Sequence, residues 1–384
     1  MKAKNRFGIW AAFILAPMLA MTPASAFETI ARAAMVIDQT TGTVLLAKNE
    51  NMSLPPASMS KLMTLNMLFE ALQDGRVTLD TKFTVSAKAS KKGGSRMFLR
   101  EGERVSIENL IKGIIVLAGN DACIVVAENL AGSEEDFARI MTARAKKLGM
   151  KNSTFGNATG WPDPNQRMSA ADLVFLANRI ITQFPEFYGY FSVKSFSWAK
   201  IDQNNRNPLL GLVEGADGLK TGHTQEAGYG LVGSAKQGDR RVVLMITGLN
   251  SPQERAREGE RLMNWAFRQF SQETLIKAQK KILEVPVWLG QKDKVALVSQ
   301  ADIEALVPYQ GRDDIKLSVT YDEPLNAPIA AGTEIGTLSV EIPGLSTKTY
   351  PLVTRDDVAE AGIAKKLLAA SNIAFRTLNK MITE

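Results

Sequence analysis

Apolar positions recur with two different spacings along the chain. Two apolar runs at 34–38 and 43–46 flank a turn that contains Gly42, a pattern that predicts a β-hairpin. From Ser58 onward the apolar side chains are spaced by three and four, which predicts a helix. The same spacing predicts further helices at 107–116, 122–130, 137–148 and 170–181.

After Lys220 the apolar spacing becomes that of strands. Runs at 229–234 and 242–247 flank a polar turn and predict a second hairpin, and a helical pattern follows at 254–270. A strand pair, then helices, then strands and a closing helix favour an α/β (α+β) domain, in which helices flank an antiparallel sheet. We assign residues 27–271 to this domain.

The last third of the chain has a different character. Short strand-like runs separated by Gly, Pro, Asn and Asp predict a small all-β domain at 272–355. The segment 356–384 has an apolar stripe at helical spacing, with lysine and arginine over most of the remaining face. Such a basic amphipathic helix at a chain end is typical of contact with a membrane surface. A helix that packs on its own β-domain is the alternative.

The first 26 residues have the features of a secretory signal. Three cationic residues precede an apolar run of 13 residues from Ile9 to Met21, and Ala24-Ser25-Ala26 follows as a cleavage site. We predict cleavage after Ala26 and export of the mature protein. A retained membrane anchor is the alternative, although the run is shorter than the roughly 20 residues that a membrane span needs.

The counts of a few residue types restrict the possible chemistry. A single cysteine, Cys123, excludes an intramolecular disulfide and any multi-cysteine metal site. A single histidine, His223, excludes the two-histidine zinc motifs and leaves room for at most one Ser–His–Asp triad. Half of the formal net charge of +6 belongs to the signal segment, and so mild an excess gives no support for nucleic-acid binding. Hydrolytic chemistry here therefore needs lysine or a carboxylate as its base.

Ser58-Met59-Ser60-Lys61 forms a Ser-x-x-Lys motif where the first helix should begin. A spacing of three places the hydroxyl and the amine on one face, and a helix start offers free backbone N–H groups beside them. Lys61 accepts a proton only when neutral, which requires burial or a nearby cation. A helix-capping serine followed by a solvated lysine is the alternative. A second copy, Ser197 to Lys200, lies in a predicted strand where residues three apart point to opposite faces, and we set it aside.

Two further motifs follow in the chain. Ala118-Gly119-Asn120 lies in a predicted loop between helices, where the Asn120 amide can orient a substrate amide. Lys220-Thr221-Gly222 begins a strand-like run, and it offers a cation and a hydroxyl to a carboxylate while glycine allows close backbone approach. Ser-x-x-Lys, x-x-Asn and Lys-Thr-Gly in this order are the signature of active-site-serine penicillin-recognising enzymes.

With these motifs the chain resembles the D-alanyl-D-alanine carboxypeptidases, which are low-molecular-mass penicillin-binding proteins. The resemblance covers nearly the whole chain, from the export signal to the basic tail. It implies a β-lactamase/transpeptidase-like catalytic domain that removes the terminal D-alanine from peptidoglycan pentapeptide stems through a serine acyl-enzyme. It also implies acylation by β-lactams, a periplasmic location peripheral to the inner membrane, and no metal or organic cofactor.

The resemblance assigns roles to particular residues. Ser58 attacks the carbonyl between the last two D-alanines and Lys61 takes its proton. The backbone N–H of Ser58 and another near His223 form the oxyanion hole. Catalytic roles are implied for Ser58, Lys61 and Asn120. Substrate-binding roles are implied for Lys220, Thr221, Gly222, His223 and Arg255. For Arg255 alone, the alternative is a solvated charge on the surface of the closing helix.

One position departs from the family pattern. The family usually has serine where this chain has Ala118. That hydroxyl is thought to relay a proton to the leaving D-alanine or to bridge the two lysines, so the step here must use Lys61, Lys220 or water. The departure puts fast turnover in question.

Three other functions compete with this interpretation. A class A β-lactamase needs a Glu-x-x-Leu-Asn segment, and none occurs between Asn120 and Lys220. An endopeptidase that cuts peptide cross-links is compatible with the motifs. A non-catalytic wall-binding protein is the third, motivated by Ala118.

Overall fold

The computed structural model describes residues 27–369 and residue 371. The predicted signal segment, 1–26, lies outside the described residues, as do residues 370 and 372–384 of the predicted terminal helix. The α-helices in the described part of the chain are α1 (Lys61–Gln73), α2 (Ala87–Lys91), α3 (Ile107–Ile115), α4 (Asn120–Ala131), α5 (Glu134–Lys147), α6 (Ala170–Gln183), α7 (Pro185–Tyr188), α8 (Leu209–Leu212) and α9 (Pro252–Arg268).

The strands of the N-terminal part and of the C-terminal part form separate sheets. The N-terminal strands are β1 (Ala33–Asp38), β2 (Thr43–Lys48), β3 (Lys82–Thr84), β4 (Arg104–Ser106), β5 (Ser195–Trp198), β6 (Ile201–Asn204), β7 (Ala216–Thr224), β8 (Gly228–Gln237) and β9 (Arg240–Leu249). The C-terminal strands are β10 (Phe270–Ile276), β11 (Leu283–Trp288), β12 (Lys294–Val298), β13 (Ile303–Pro308), β14 (Lys316–Tyr321), β15 (Leu325–Asn326), β16 (Glu334–Glu341) and β17 (Lys348–Thr354).

A five-stranded antiparallel sheet of order β2-β1-β9-β8-β7 is the centre of the N-terminal part. Alternate residues of β9 face its two sides, as the strand period requires. Val242, Leu244 and Ile246 pack in a core with α8 and α9. Val243 and Met245 belong to a larger core on the other face, built with α1 and α3–α6. The predicted α+β arrangement, an antiparallel sheet flanked by helices, is confirmed.

The C-terminal part is all-β, as predicted. A six-stranded sheet of order β14-β16-β17-β12-β11-β15 and a two-stranded sheet of β10 and β13 share their own apolar core. The first of these strands, β10, follows α9 almost directly and begins two residues before the predicted boundary at 272. Lys348 Nζ donates to the carbonyl oxygen of Thr41, 2.8 Å away, and so ties this domain to the first hairpin.

The predicted terminal helix begins later than expected. Val358 and Glu360 form antiparallel bridges with Ile329 and Gly290, so their backbone is extended and a helix start at 356 is wrong. Helical structure begins at residue 363 and continues to the end of the continuously described range at 369. Across the described ranges, no helix combines the length and the apolar character needed to cross a bilayer.

Candidate active site

Ser58 lies on a tight turn at the entrance to α1. Residues Ala57–Ser60 form a 3-10 turn, and Lys61 is the first residue of α1. Ala57 has a left-handed backbone conformation with φ of 49°, which is uncommon for a residue with a side chain and is often found at functional sites. The turn brings Ser58 Oγ to 2.8 Å from Lys61 Nζ, so the structure brings the predicted nucleophile and base together.

Two glycines let neighbouring segments approach this turn closely. A Cβ at Gly222 of β7 would lie 2.9 Å from the Pro56 carbonyl oxygen, and a Cβ at Gly160 would lie 1.9 Å from that of Ala57. Neither contact is compatible with a side chain. The edge strand β7 and the loop 157–161 therefore both pack against the turn that carries Ser58.

The Lys61 amine is completely buried and surrounded by neutral oxygens. Its Nζ lies 2.8 Å from Ser58 Oγ, and it donates to Asn120 Oδ1 at 2.7 Å and to the Thr159 carbonyl oxygen at 2.5 Å. Burial lowers the pKa of Lys61 to about 8, and the nearby cation of Arg206 acts in the same direction. A neutral amine has two N–H donors and one lone pair. With both donors held by Asn120 and Thr159, the lone pair faces Ser58, as a base for its proton requires.

Asn120 lies at the start of a helix and not in the predicted loop. It is the first residue of α4, and Ala118 before it has φ of 57°, which turns the chain sharply after α3. Its Nδ2 donates to the Gly93 carbonyl oxygen at 2.9 Å, which fixes the side-chain oxygen toward Lys61. The loop prediction for Asn120 is wrong because α4 begins one residue after Gly119.

The Lys-Thr-Gly motif forms the opposite wall of the site. Lys220 and Thr221 are buried within β7, which packs along the turn of Ser58. Lys220 Nζ donates to the carbonyl oxygen of Thr221 at 3.2 Å. Burial, with the Lys61 charge as a further cause, lowers the pKa of Lys220 well below its usual value. Among the described residues neither buried amine forms an ion pair with a carboxylate, so an anion bound beside Lys220 would favour the charged form of that amine.

His223 and Arg255 both lie near the ring of Tyr229, which no sequence motif identified. The His223 ring stacks on Tyr229 with ring centroids 3.9 Å apart, and the Arg255 guanidinium lies 5.8 Å from the centre of the same ring. Arg255 Nε is buried and has no hydrogen-bond partner among the described residues. An anion bound beside β7 would supply one.

The site also uses residues that no sequence motif identified. Arg206 donates to Ser95 Oγ, and its charge lowers the pKa of both Lys61 and Lys220. Thr159 contributes only a backbone carbonyl, which any residue type can supply. Neither contribution could be predicted from the sequence, because Arg206 belongs to no motif and the Thr159 oxygen belongs to the main chain.

One asparagine organises the loop that presents Thr159. Asn157 Oδ1 accepts from the backbone N–H groups of Thr159, Gly160 and Trp161 at 3.1, 2.8 and 3.1 Å. Gln166 Oε1 in turn accepts from the N–H groups of Gly156 and Asn157. The position of the Thr159 oxygen opposite Lys61 therefore depends on side chains of the loop itself.

The chain matches two protein-family descriptions. Residues 20–251 match "D-alanyl-D-alanine carboxypeptidase" and residues 270–360 match "Penicillin-binding protein 5, C-terminal domain". The first match covers more than half of the chain.

Individual relatives give the same result over most of the chain. The D-alanyl-D-alanine carboxypeptidase DacD of Salmonella typhimurium is 36% identical over 375 residues, with 92% of this chain and 96% of that protein covered. The crystal structure of DacD from Francisella tularensis has a TM-score of 0.78 at 29% identity, covering 88% of this chain and 96% of that chain. Penicillin binding protein 5 of Haemophilus influenzae has a TM-score of 0.73 at 33% identity, covering 88% and 99%.

Proposed function

The chain belongs to the D-alanyl-D-alanine carboxypeptidase family, and from this premise we propose that it removes the terminal D-alanine from peptidoglycan pentapeptide stems. The observation that carries the proposal is the buried hydrogen-bond network in which Lys61 Nζ joins Ser58 Oγ to Asn120 Oδ1. In this network the proposed nucleophile lies 2.8 Å from the proposed base, whose pKa burial lowers to about 8.

Ser58 forms and then loses an ester bond in the proposed reaction. Its Oγ attacks the carbonyl carbon between the last two D-alanines while Lys61 Nζ takes the hydroxyl proton. The C–N bond breaks, and the leaving amine receives a proton from Lys61, Lys220 or water, because Ala118 has no hydroxyl to relay it. Water then adds to the acyl-enzyme carbon, the ester bond breaks, and Ser58 regains its proton.

Backbone and charged groups around Ser58 hold the substrate in this proposal. The N–H groups of Ser58 and of the strand near His223 donate to the developing oxyanion. Lys220 and Thr221 bind the terminal carboxylate, and Arg255 adds a second cation to this end of the site. A β-lactam has a carboxylate and an amide that correspond to the terminal carboxylate and the scissile amide of the substrate. Its amide is strained by the ring, and it acylates the same serine.

The cellular location is part of the proposal. We propose that the signal at 1–26 is cleaved after Ala26 and that the mature protein works in the periplasm. The exposed apolar side chains of Ile363, Leu367 and Leu368 support contact of the tail with the membrane surface. Lys365 Nζ, which donates to the Gly290 carbonyl oxygen at 2.8 Å, instead holds the start of this helix on the β-domain.

Release of D-alanine tests the proposed activity directly. The mature protein is incubated with an acylated peptide ending in Lys-D-Ala-D-Ala, and with a matched peptide ending in D-Ala-L-Ala. We expect release only from the first peptide, and its loss after preincubation with benzylpenicillin. No release from folded protein would favour a non-catalytic wall-binding role. Release that continues after penicillin treatment would show that the reaction does not use the serine that penicillin acylates.

The pH dependence of acylation should follow the Lys61 amine. Only neutral Lys61 accepts the Ser58 proton, so the rate constant for acylation by benzylpenicillin should rise about tenfold per pH unit below the pKa of about 8 and level off above it. Stopped-flow measurements between pH 6 and 9 give the profile. A rate that does not change over this range would show that Lys61 is not the titrating base.

Restoring the family hydroxyl should raise turnover. The Ala118→Ser variant supplies a hydroxyl donor and acceptor two residues before Asn120, which accepts from Lys61. We expect kcat for D-alanine release to increase by about 10²-fold, the lower end of the contribution of a positioned proton-transfer group. Ala122→Ser, one turn further into α4, serves as the matched control. An unchanged kcat in a folded Ala118→Ser protein would show that this position takes no part in proton transfer here.

Asn157→Ala should impair catalysis without touching a reacting atom. The change removes the acceptor of three backbone N–H groups, so the Thr159 oxygen loses its fixed place opposite Lys61. We expect kcat/KM to fall roughly 10- to 100-fold and the pH profile of acylation to shift. Asn157→Asp, which keeps the acceptor, should retain more activity than Asn157→Ala. Equal loss in the two variants would contradict a positioning role.

A further inference from the structure

The Lys-Thr-Gly motif lies on an edge strand whose start is irregular. In the part of the chain that the structure describes, β7 pairs with β8 alone, and it is the last strand of the five-stranded sheet. Its pairing register shifts between Ala216 and Gly218, just before Lys220. Fewer backbone hydrogen bonds fix such a strand than fix a central one. The place of Lys220 opposite the nucleophile therefore depends on what else holds the start of β7.

The Asp217 carboxylate joins this start to two other elements. Its Oδ1 accepts from Tyr188 Oη at 2.7 Å, and Tyr188 is the last residue of α7. The Arg241 guanidinium of β9 donates to the same carboxylate, with Nη1 2.9 Å from Oδ1 and 2.7 Å from Oδ2. Hydrogen bonds to an ionised group are roughly twice as strong as neutral ones. The start of β7 is therefore tied to a helix and to a strand that is not its neighbour in the sheet.

Arg241 completes a network that spans three strands. Its Nη1 also donates to Ser234 Oγ at 2.6 Å, and Ser234 is the buried residue of β8 that pairs with Gly218. The Arg241 side chain is 13% exposed and the Asp217 side chain 25%. Because this ion pair is largely shielded from water, solvent and salt weaken it less than they weaken an exposed pair. We call Tyr188, Asp217, Ser234 and Arg241 the Asp217 network.

The Tyr188 hydroxyl packs directly on the backbone of β7. A Cβ at Gly218 would lie 2.7 Å from Tyr188 Oη, so glycine is what lets the strand approach the ring this closely. The tyrosine is 9% exposed and burial raises its pKa, so the hydroxyl keeps its proton and donates a hydrogen bond to Asp217. The network therefore contacts β7 both by hydrogen bonding and by close packing, within three residues of Lys220.

We infer that Tyr188, Asp217 and Arg241 are positioning residues for the carboxylate-binding end of the active site. The inference rests on the proposed function, in which Lys220 and Thr221 bind the terminal carboxylate of the substrate. Asp217 precedes Lys220 by three residues, about 10 Å of extended strand, so the network acts through β7 and not by contact with the carboxylate. Loosening the start of β7 displaces both carboxylate-binding residues relative to the nucleophile, whose turn belongs to another segment.

The kinetic signature of this role is a rise in KM. The carboxylate is bound in the ground state and in the transition state alike, so weaker binding raises KM and leaves kcat nearly unchanged. A variant that is only partly folded behaves differently, because its smaller active fraction lowers the apparent kcat without changing KM. The two constants, measured separately, therefore distinguish positioning from a general structural role.

Two tyrosines make a matched pair of variants. Tyr188→Phe removes only the hydroxyl that donates to Asp217, and Tyr190→Phe removes the hydroxyl that donates to Glu108 at 3.3 Å. With an acylated peptide ending in Lys-D-Ala-D-Ala, we expect Tyr188→Phe to raise KM about fivefold and to keep kcat within about twofold of the wild-type value. Tyr190→Phe should match the wild-type protein in both constants.

Asp217→Asn should have the larger effect. The amide keeps an acceptor for Tyr188 Oη but has no charge for Arg241, so we expect KM to rise about tenfold. The second-order rate constant for acylation by benzylpenicillin, whose carboxylate takes the same site in the proposed function, should fall by a similar factor. The pH profile of acylation should keep its wild-type midpoint, because Lys61 is untouched.

The outcomes separate this inference from the proposed function. Unchanged KM in both Tyr188→Phe and Asp217→Asn, or an equal rise in Tyr190→Phe, would overturn the positioning role while the carboxypeptidase stands. Absence of D-alanine release from the wild-type protein would overturn the proposed function. Acylation by benzylpenicillin would then decide the positioning role, and wild-type rate constants in both variants would overturn it.

Discussion

Replacement of Ser58 by alanine is expected to abolish D-alanine release, with a loss in kcat of at least about 10⁴-fold. The hydroxyl is the only group that forms the ester bond in the proposed reaction, and the change leaves the oxyanion donors and the carboxylate-binding wall in place. Loss of activity should therefore occur without loss of fold, and the variant should still bind peptide substrate. Release of D-alanine and far-ultraviolet circular dichroism measure the two properties on the same preparation.

The chain contains its own control for this change. Ser197 and Lys200 repeat the Ser-x-x-Lys spacing, but they lie in the β5–β6 hairpin, with Ser197 and Lys200 both exposed. Ser197→Ala should keep wild-type kcat. Retained activity in Ser58→Ala, or its loss in Ser197→Ala, would show that the nucleophile has been assigned to the wrong motif.

Replacement of Lys61 by methionine is expected to lower kcat/KM for D-alanine release by about 10³- to 10⁴-fold, toward the upper end of what a general base contributes. Methionine is of similar length and apolar, so it fits a completely buried site while removing the lone pair that faces Ser58. The rate of acylation by benzylpenicillin should fall by a similar factor, because Ser58 must lose its proton in both reactions.

The matched variant for Lys61 is Lys200→Met, which removes the amine of the second motif and should leave kcat/KM unchanged. The Lys61→Met protein should also lose the rise in acylation rate below pH 8. Full acylation by benzylpenicillin at the wild-type rate in Lys61→Met would exclude this amine as the base and direct attention to Lys220.

The regular elements of the fold could be predicted because periodicity reports burial. In β9, Val242, Leu244 and Ile246 enter one core and Val243 and Met245 enter the other. The spacing in α6 likewise places Leu173, Leu176 and Ile180 in the core. In the C-terminal part the sequence pattern predicts strands at 282–287, 294–298, 315–321, 333–342 and 347–353. It predicts none at β13, although Ile303, Ala305 and Val307 are buried. This strand pairs with β10, whose partner residues lie 27 to 38 positions earlier in the chain, from Ile276 opposite Ile303 to Phe270 opposite Pro308.

The candidate site could be predicted only where a residue type carries the chemistry. Ser58 and Lys61 are recognisable from the Ser-x-x-Lys spacing, and Lys220 from the Lys-Thr-Gly motif that follows it in the chain. The Thr159 oxygen belongs to the backbone, and the contact of Tyr229 with His223 depends on the register of β7 against β8. Such long-range geometry leaves no periodic signal in the sequence.

The end of the chain shows how tertiary pairing overrides a helical pattern. The predicted helix includes residues 356–362, yet Val358 and Glu360 pair with Ile329 and Gly290. Backbone pairing with an existing sheet and burial of Val358 outweigh the weak helical preference of this segment. The helix then begins where this pairing ends.

Mapping the covalent adduct of benzylpenicillin tests the central claim that Ser58 is the nucleophile. The wild-type and Ser58→Ala proteins are treated with the antibiotic, quenched in acid, digested with trypsin and sequenced by tandem mass spectrometry. We predict one adduct in the wild-type protein, on Ser58 of the tryptic peptide that spans residues 49–61, and none in the variant. An adduct on another residue, or an equal adduct in Ser58→Ala, would contradict the assignment of the nucleophile.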